Sequence, residues 1–229
     1  MNKIMKKIAA VVVLLVMTPY LINAQTDSRN RVTSTIIADA LNMLPANDKA
    51  TEDKLMSEIL ETGADGIVEL AMMLKPASVG GNARIEYALD GLCDFVSDPA
   101  NKKYGLIMSD GLRKAIEKAD NDEVKAYLIS LFRGFGNRKD VDFLSEYVKN
   151  ENLAEVAIQT IASIPGSARN IVDLAENSTP GNRKVLAYAI ADNSVRKTED
   201  ILIQWLEGAD VETQEAVYYA LSVVGGDKS

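Results

Sequence analysis

The chain has 229 residues, with 25 Lys and Arg against 33 Asp and Glu, no His and one Cys. Catalytic triads that rely on an imidazole base, His-ligated zinc sites and Cys-rich metal sites are therefore excluded. Apolar residues make up 47% of the chain and aromatic residues 6%, which supports a packed core and favours helices over strands. No cofactor or metal is predicted, and composition alone names no chemical activity.

The start of the chain has the three-part layout of a secretory signal peptide. Lys3, Lys6 and Lys7 precede an apolar run over residues 8–17, and the small residue Ala24 ends the segment. That run is much shorter than the about 20 apolar residues that a membrane-spanning helix needs. The sequence therefore predicts export to the periplasm or the cell exterior, with residues 1–24 removed as a signal peptide.

The exported chain is expected to be strongly acidic. Removal of the signal peptide takes away three lysines and no acid, so the formal net charge changes from −8 to −11. Such a surface repels phosphate backbones and anionic lipids, and no cluster of Lys or Arg interrupts it. Nucleic acid is therefore not an expected partner, and no membrane span is expected after cleavage.

Helical periodicity runs through the rest of the chain. From Arg31 onward, apolar residues recur every three or four positions without a convincing alternating strand. The prolines that follow all fall between these segments, where they stop or start helices: Pro45, Pro76, Pro99, Pro165 and Pro180. The pattern predicts twelve helices of about 10–18 residues. Thr179 is expected to cap a helix that has Pro180 at its first position.

The later part of the chain is self-similar. Five anchors recur at spacings of 39, 30, 29 and 31 residues: Leu92, Leu131, Ile161, Ile190 and Leu221. A small residue stands one position before each anchor, and apolar residues stand three and four positions before it. Small residues let helices approach closely, and a wide apolar arc suits a helix with several neighbours. The sequence predicts an all-α fold, an α-solenoid of about six stacked antiparallel helix pairs over residues 25–229.

These repeats resemble short HEAT-like repeats of the phycobilisome-lyase type, over about residues 83–226. The segments 37–41, 44–46, 63–67 and 87–92 resemble helical-repeat regions of exported bacterial proteins. Some of those proteins carry a sugar-active β-sandwich of the 3-keto-disaccharide hydrolase type after the repeats. No catalytic residue of that domain can be carried over to this chain.

Two functions remain open from the sequence. The first is an exported, non-catalytic binding or scaffolding module that uses its helical-repeat surface for protein–protein interaction. The second is the helical accessory region of a longer carbohydrate-active enzyme, whose catalytic domain lies outside this chain. A third and weaker hypothesis is glycan hydrolysis by Glu86, Asp90 and Asp94. On a helix, these four-residue steps place successive carboxylates about 6 Å apart. A solvated helix face explains the same stripe more simply.

Three other features have simple structural interpretations. Residues 120–123 resemble the opening of a calcium loop, but Lys125 stands where the sharp turn needs Gly, so helix capping is preferred. Cys93 lies among apolar residues and is interpreted as a small buried hydrophobe rather than a nucleophile. Trp205 is interpreted as a core residue rather than a ligand platform.

Two surface features are candidates for interaction. Residues of alternating charge stand six positions before the anchors and form what we call the charge ladder: Glu86, Lys125, Glu155, Lys184 and Glu215. If equivalent positions stack, opposite charges face each other and set the register of the repeats, although chance is an alternative. Tyr188 and Tyr219 stand two positions before their anchors, outside the main apolar arc. They are candidates to anchor a partner or stack on a sugar ring, with packing against a loop or the next helix as the alternative.

The last predicted helix is apolar around most of its circumference. Between Ala216 and Val224, Ser222 is the only polar residue that is not aromatic. A helix of this kind suits packing on both sides. We therefore expect further chain after Ser229, or a second molecule, to cover four residues: Val217, Tyr218, Leu221 and Val224.

Overall fold

A computed structural model describes residues 32–226 of the chain. The predicted signal peptide, residues 1–24, lies outside the described residues. The described part contains twelve α-helices and no β-strand, which confirms the predicted all-α class and the number of helices.

The helices follow one another with short connections. The first six are α1 (32–43), α2 (Lys49–Glu61), α3 (Ala64–Ala71), α4 (Ala83–Ser97), α5 (Gly105–Lys118) and α6 (Asp122–Ser130). The last six are α7 (Arg138–Ser145), α8 (Ala154–Ser163), α9 (Ala168–Glu176), α10 (Arg183–Asp192), α11 (Glu199–Trp205) and α12 (Val211–Val224). Five 3-10 segments lie between them: Pro99–Tyr104, Leu131–Arg133, Glu146–Lys149, Pro180–Asn182 and Arg196–Thr198.

Several helices are shorter than predicted, and α11 has only seven residues. Thr179 does occupy the cap position with Pro180 directly after it, but they open a 3-10 segment, and α10 begins only at Arg183. The Thr179 side chain makes no capping hydrogen bond. Gly181 and Asn182 are poor helix formers, which accounts for the delayed start of α10.

Asp and Asn side chains cap several helices at their N-termini. Asp48 accepts a hydrogen bond from the Thr51 amide at 2.9 Å at the start of α2, and Asp210 accepts one from the Thr213 amide at 2.8 Å at the start of α12. Asn121 accepts from the first-turn amides of α6. This cap confirms the interpretation of residues 120–123 as a helix start.

The helices contact mainly their nearest neighbours in the chain and the helices one place beyond. Even-numbered helices contact each other in the series α6, α8, α10 and α12, and α2 contacts α4. Odd-numbered helices pack against the even-numbered helices that follow them, as α7 does against α8 and α11 against α12. None of the helices within residues 32–226 combines the length and apolar character needed to cross a bilayer.

Two hydrophobic clusters form the core and meet at α8. The N-terminal core extends from Ile37 to Ile164, and the C-terminal core extends from Ile158 to Val224. Trp205 lies in the C-terminal core with 4% exposure, which confirms its interpretation as a core residue.

One buried ion pair lies inside the N-terminal region. Asp140 of α7 is fully buried and accepts hydrogen bonds from the Ser109 hydroxyl and the Arg113 guanidinium of α5. Its second oxygen accepts from the Asn137 amide at 2.8 Å. Asp140 therefore joins α5 to the start of α7, with both of its oxygens in hydrogen bonds.

The repeat pattern matches burial except in the last helix. Leu92, Ile161 and Ile190 are fully buried, but Leu221 is only partly buried. Leu131 is buried as well, but it belongs to the 3-10 segment after α6.

The expectation that further chain or a second molecule covers the last helix is partly wrong. Val217 and Val224 are 0% and 3% exposed, because α10 and α11 of the same chain cover them. They need no second molecule. Tyr218 is 59% exposed and Val223 is 41% exposed, so the outer side of α12 does contact solvent.

Candidate functional site

A groove of about 680 Å3 lies between α8 and α10. Its walls carry side chains at four-residue steps: Glu151, Glu155 and Gln159 on one side, and Lys184, Tyr188 and Asp192 on the other. Residues four apart share one face of a helix, so Glu155 and Gln159 form a stripe on α8, and Lys184, Tyr188 and Asp192 form one on α10. Glu151 lies in the turn before α8. Between the stripes lie small residues, including Ala162 and Ala189.

The two helices that form the groove run in the same direction. At one end, the Asn193 side chain donates hydrogen bonds at 3.0 Å to the carbonyls of Ala162 and Ala189, near the C-termini of α8 and α10. At the other end, Glu155 and Lys184 lie in the first turns of their helices, and the negative charge of Glu155 acts on Lys184. The two helix C-termini therefore lie at the same end of the groove.

Most of the polar groups at the first-turn end already have partners. Lys184 Nζ lies 2.5 Å from a carboxylate oxygen of Glu212, which belongs to α12. The hydrogen bond and charge of Glu212 raise the pKa of Lys184. The Gln159 side chain donates to Glu155 at 3.1 Å and accepts from Arg133 at 3.0 Å.

Tyr188 and Tyr219 form an exposed pair of rings beside the groove. Their ring centroids are 5.9 Å apart, with the planes tilted by 45°. Their side chains belong to residues that are 42% and 49% exposed. Neither hydroxyl makes a hydrogen bond to any residue in the described part. The structure therefore brings together the two tyrosines that the repeat register placed at equivalent positions.

Tyrosines on the N-terminal even-numbered helices are engaged differently. Tyr87 of α4 donates to Glu52 of α2 at 2.8 Å, and Tyr127 of α6 donates to Asp90 of α4 at 3.0 Å. Burial and the charge of Asp90 strongly raise the pKa of Tyr127. These two hydroxyls connect neighbouring helices, whereas those of Tyr188 and Tyr219 remain free of such bonds among residues 32–226.

The charge ladder forms no continuous series of ion pairs among the described residues. Lys184 pairs with Glu212 rather than with Glu215, one turn further along α12. Within the region from 32 to 226, Lys125 makes no ion pair with Glu86 or Glu155. The attraction of Glu155 for Lys184 is present, but it is weaker than that of Glu212.

The carboxylate stripe on α4 does not converge on one cavity. Glu86 lines a small cavity of about 170 Å3 together with Glu123 and Tyr127. Asp90 and Asp94 are exposed residues outside this lining, and Asp90 already accepts the Tyr127 hydroxyl. The three carboxylates therefore do not share the enclosed site that glycoside hydrolysis needs.

Cys93 is a buried side chain of α4 with 7% exposure, which confirms its interpretation as a small hydrophobe. Burial strongly raises the pKa of its thiol, with smaller effects from Asp90 and Asp94. The thiolate that a nucleophile requires is therefore disfavoured. Among residues 32–226, no cluster of three or more Cys, Asp or Glu side chains has a geometry suited to a metal ion.

The sequence pattern indicated neither the groove nor the residue Asp192. Asp192 continues the four-residue step from Lys184 through Tyr188, so an extension of the repeat register by one turn would have indicated it. The groove depends on the separation of α8 and α10, which periodicity does not report. Comparisons of the chain with protein-family models, with curated proteins and with solved structures give no match.

Proposed function

We propose that this chain is an exported, non-catalytic module that binds or scaffolds a protein partner on the face of its even-numbered helices. The observation that carries the proposal is the exposed pair of Tyr188 and Tyr219 beside the groove between α8 and α10. Exposed tyrosines supply large contact area with little loss of side-chain freedom, which is why they anchor many protein interfaces.

The proposed architecture is an α-solenoid of HEAT-like helix pairs. Its support is the series of contacts between even-numbered helices, together with the repeat of small and apolar residues at matched positions. Such an array presents successive helices side by side and makes an extended binding face. The layout of residues 1–24 supports export, and hence a partner in the periplasm or outside the cell.

The same geometry gives catalysis and carbohydrate binding less support. Of the three α4 carboxylates, Glu86 alone lines the small cavity beside Tyr127, and Asp90 accepts a hydrogen bond from the Tyr127 hydroxyl. The rings of Tyr188 and Tyr219 are tilted by 45°, so they do not make one flat platform for a sugar. An accessory role in a longer carbohydrate-active enzyme therefore rests on the sequence resemblance alone.

A pull-down from envelope extract of the native host tests the proposal. The variant Tyr188→Ala/Tyr219→Ala should melt at nearly the wild-type temperature and lose most of the retained partner. Leu106→Ala is the control and should retain the partner, since Leu106 is also exposed but belongs to α5. Equal retention by the wild type and the double variant would contradict the proposal, as would a double variant that unfolds several degrees lower.

A further inference from the structure

We propose that the groove between α8 and α10 binds an extended peptide segment through a Lys or Arg side chain, whose cation lies between Asp192 and the Tyr188 ring. This inference rests on the proposed function, because it specifies the chemistry of the partner that the tyrosine pair would hold. The occupant is a basic segment of another protein.

The lining of the groove is acidic. Three carboxylates line it, those of Glu151, Glu155 and Asp192, and the one cation among its lining residues, Lys184, is joined to Glu212. Glu151 and Asp192 make no ion pair with other residues in the described part of the chain. Arg133, which is not a lining residue, donates hydrogen bonds to Gln159 at 3.0 Å and to Thr160 at 3.4 Å. The carboxylates of Glu151 and Asp192 can therefore attract a cationic segment, because no cation of the described chain forms an ion pair with them.

The end of the groove at Asp192 is the better place for the cation. Both α8 and α10 end there, at Ser163 and Asp192, and the C-termini of helices carry partial negative charge. The Asn193 bond to the Ala162 carbonyl places these two ends together. At the opposite end, the helix N-termini carry partial positive charge, and Lys184 attracts Glu155 as well as Glu212. The helix dipoles thus favour a cation at the Asp192 end, where the carboxylate has no cationic partner among the described residues.

Tyr188 supplies the second contact for the cation. It stands one turn before Asp192 on α10, which places the two residues about 6 Å apart on one face. A Lys ammonium or Arg guanidinium over an exposed tyrosine ring gains a favourable cation–π interaction. Tyr219 of α12 contacts Tyr188 and extends the aromatic surface beside the aliphatic part of the bound Lys or Arg side chain.

The length of the groove suits a short extended segment. The stripe from Glu155 to Ser163 spans about 12 Å along α8, at 1.5 Å per residue. An extended chain advances about 3.3 Å per residue, so about four residues fill the stripe. One basic side chain at the Asp192 end, followed by small residues, would fit this space.

Fluorescence anisotropy with defined peptides tests the inference. The probes are a labelled octapeptide of Gly and Ser that carries one Lys, and its twin with Glu in place of the Lys. The protein is the full 229-residue chain, and thermal melts establish that each variant folds. We expect the lysine peptide to bind and the glutamate peptide to bind at least about tenfold more weakly at low salt.

Matched variants locate the site. Asp192→Asn should weaken the lysine peptide about fivefold, whereas Glu207→Gln removes the same charge from an exposed turn away from the groove and should leave binding unchanged. Tyr188→Leu should weaken binding about threefold, and Tyr188→Phe, which keeps the ring, should retain wild-type binding.

Three results would overturn the inference: equal binding of the two peptides, an equal effect of Asp192→Asn and Glu207→Gln, or displacement of the lysine peptide by neutral maltohexaose. Failure of the inference is distinct from failure of the proposed function. Suppose that the double tyrosine variant loses its protein partner while the lysine peptide does not bind. The tyrosine pair is then still the partner-binding surface, but the inference that the bound segment is basic is wrong.

Discussion

The two hydrophobic cores of this chain differ in the size of their side chains. The N-terminal core contains thirty-three buried residues, of which six are Ala, while the C-terminal core contains fifteen, of which six are also Ala. Alanine buries little apolar area and lets helices approach closely. The high share of alanine in the C-terminal core is consistent with the close contact between α10 and α12.

The N-terminal and C-terminal regions also differ in buried charge and in the hydrogen bonds of their tyrosines. Asp140, in the N-terminal region, is the one fully buried charged residue among residues 32–226. The hydroxyls of Tyr87 and Tyr127 in that region are hydrogen-bonded to carboxylates, while those of Tyr188 and Tyr219 in the C-terminal region are not. The smaller core thus carries the proposed binding face, and the larger core supplies most of the buried area.

The largest expected effect is on the buried ion pair. Asp140→Ala would leave the Arg113 guanidinium and the Asn137 amide without their acceptor, and should lower the free energy of unfolding by about 3–5 kcal/mol. Urea denaturation measures this loss. Asp142→Ala is the control, because Asp142 is an exposed residue of the same helix. If Asp140→Ala lowers the free energy of unfolding no more than the control does, the ion pair does not stabilise the fold.

A second substitution tests whether close helix contact is confined to the C-terminal region. A Cβ atom added at Gly111 of α5 would lie 2.5 Å from the Cβ of Ile67 in α3, so these helices also touch closely. Gly111→Ala should destabilise the protein by about 1–3 kcal/mol. Gly105→Ala should be neutral or slightly stabilising, because nothing lies within 4 Å of its added Cβ. Equal stabilities for the two variants would mean that α3 and α5 move apart at little cost.

Acid titration compares matched helix caps in the two regions. Hydrogen bonds from Thr51 and Thr213 hold the pKa values of Asp48 and Asp210 below the ordinary 3.8. The caps therefore stabilise the fold above that pKa, and this contribution is lost as pH falls through the lower folded values. Asp48→Asn and Asp210→Asn keep an acceptor but do not titrate. Each variant should lose less stability than the wild type below about pH 4, and by similar amounts, in acid-unfolding curves.

The smallest expected effect concerns the charge ladder. A double-mutant cycle on Lys184 and Glu212 should show a favourable coupling that weakens with salt, because the pair is close but exposed. The cycle on Lys125 and Glu155 should show a smaller coupling, since the described structure does not pair them. A larger coupling free energy for Lys125 and Glu155, measured at low salt, would support the charge ladder that the sequence predicts.

Periodicity in the sequence was sufficient to predict the helices and most of the core. The anchors Leu92, Ile161 and Ile190 are buried because a helix repeats its face every three to four residues. The same rule placed Tyr188 and Tyr219 at equivalent positions, and they do lie side by side.

Contacts that depend on the distance and rotation between helices could not be predicted. Lys184 meets Glu212 rather than Glu215, a difference of less than one turn that a sequence alignment of repeats does not resolve. Nor did the pattern indicate that Arg113 and Asp140 meet, since they lie on α5 and α7 and belong to no repeated position. The burial of Val217 and Val224 likewise depends on how α10 and α11 enclose α12.

The C-terminal core has fewer buried residues, so we expect the C-terminal region, which carries the proposed binding face, to open at a lower free energy, and native-state hydrogen exchange tests this most directly. The amides of α10 and α12 should exchange through an opening at least about 2 kcal/mol lower in free energy than the opening that exposes α3 and α5. The smaller C-terminal core is the reason for this difference. Exchange of all four helices through one opening of the same free energy would contradict the account.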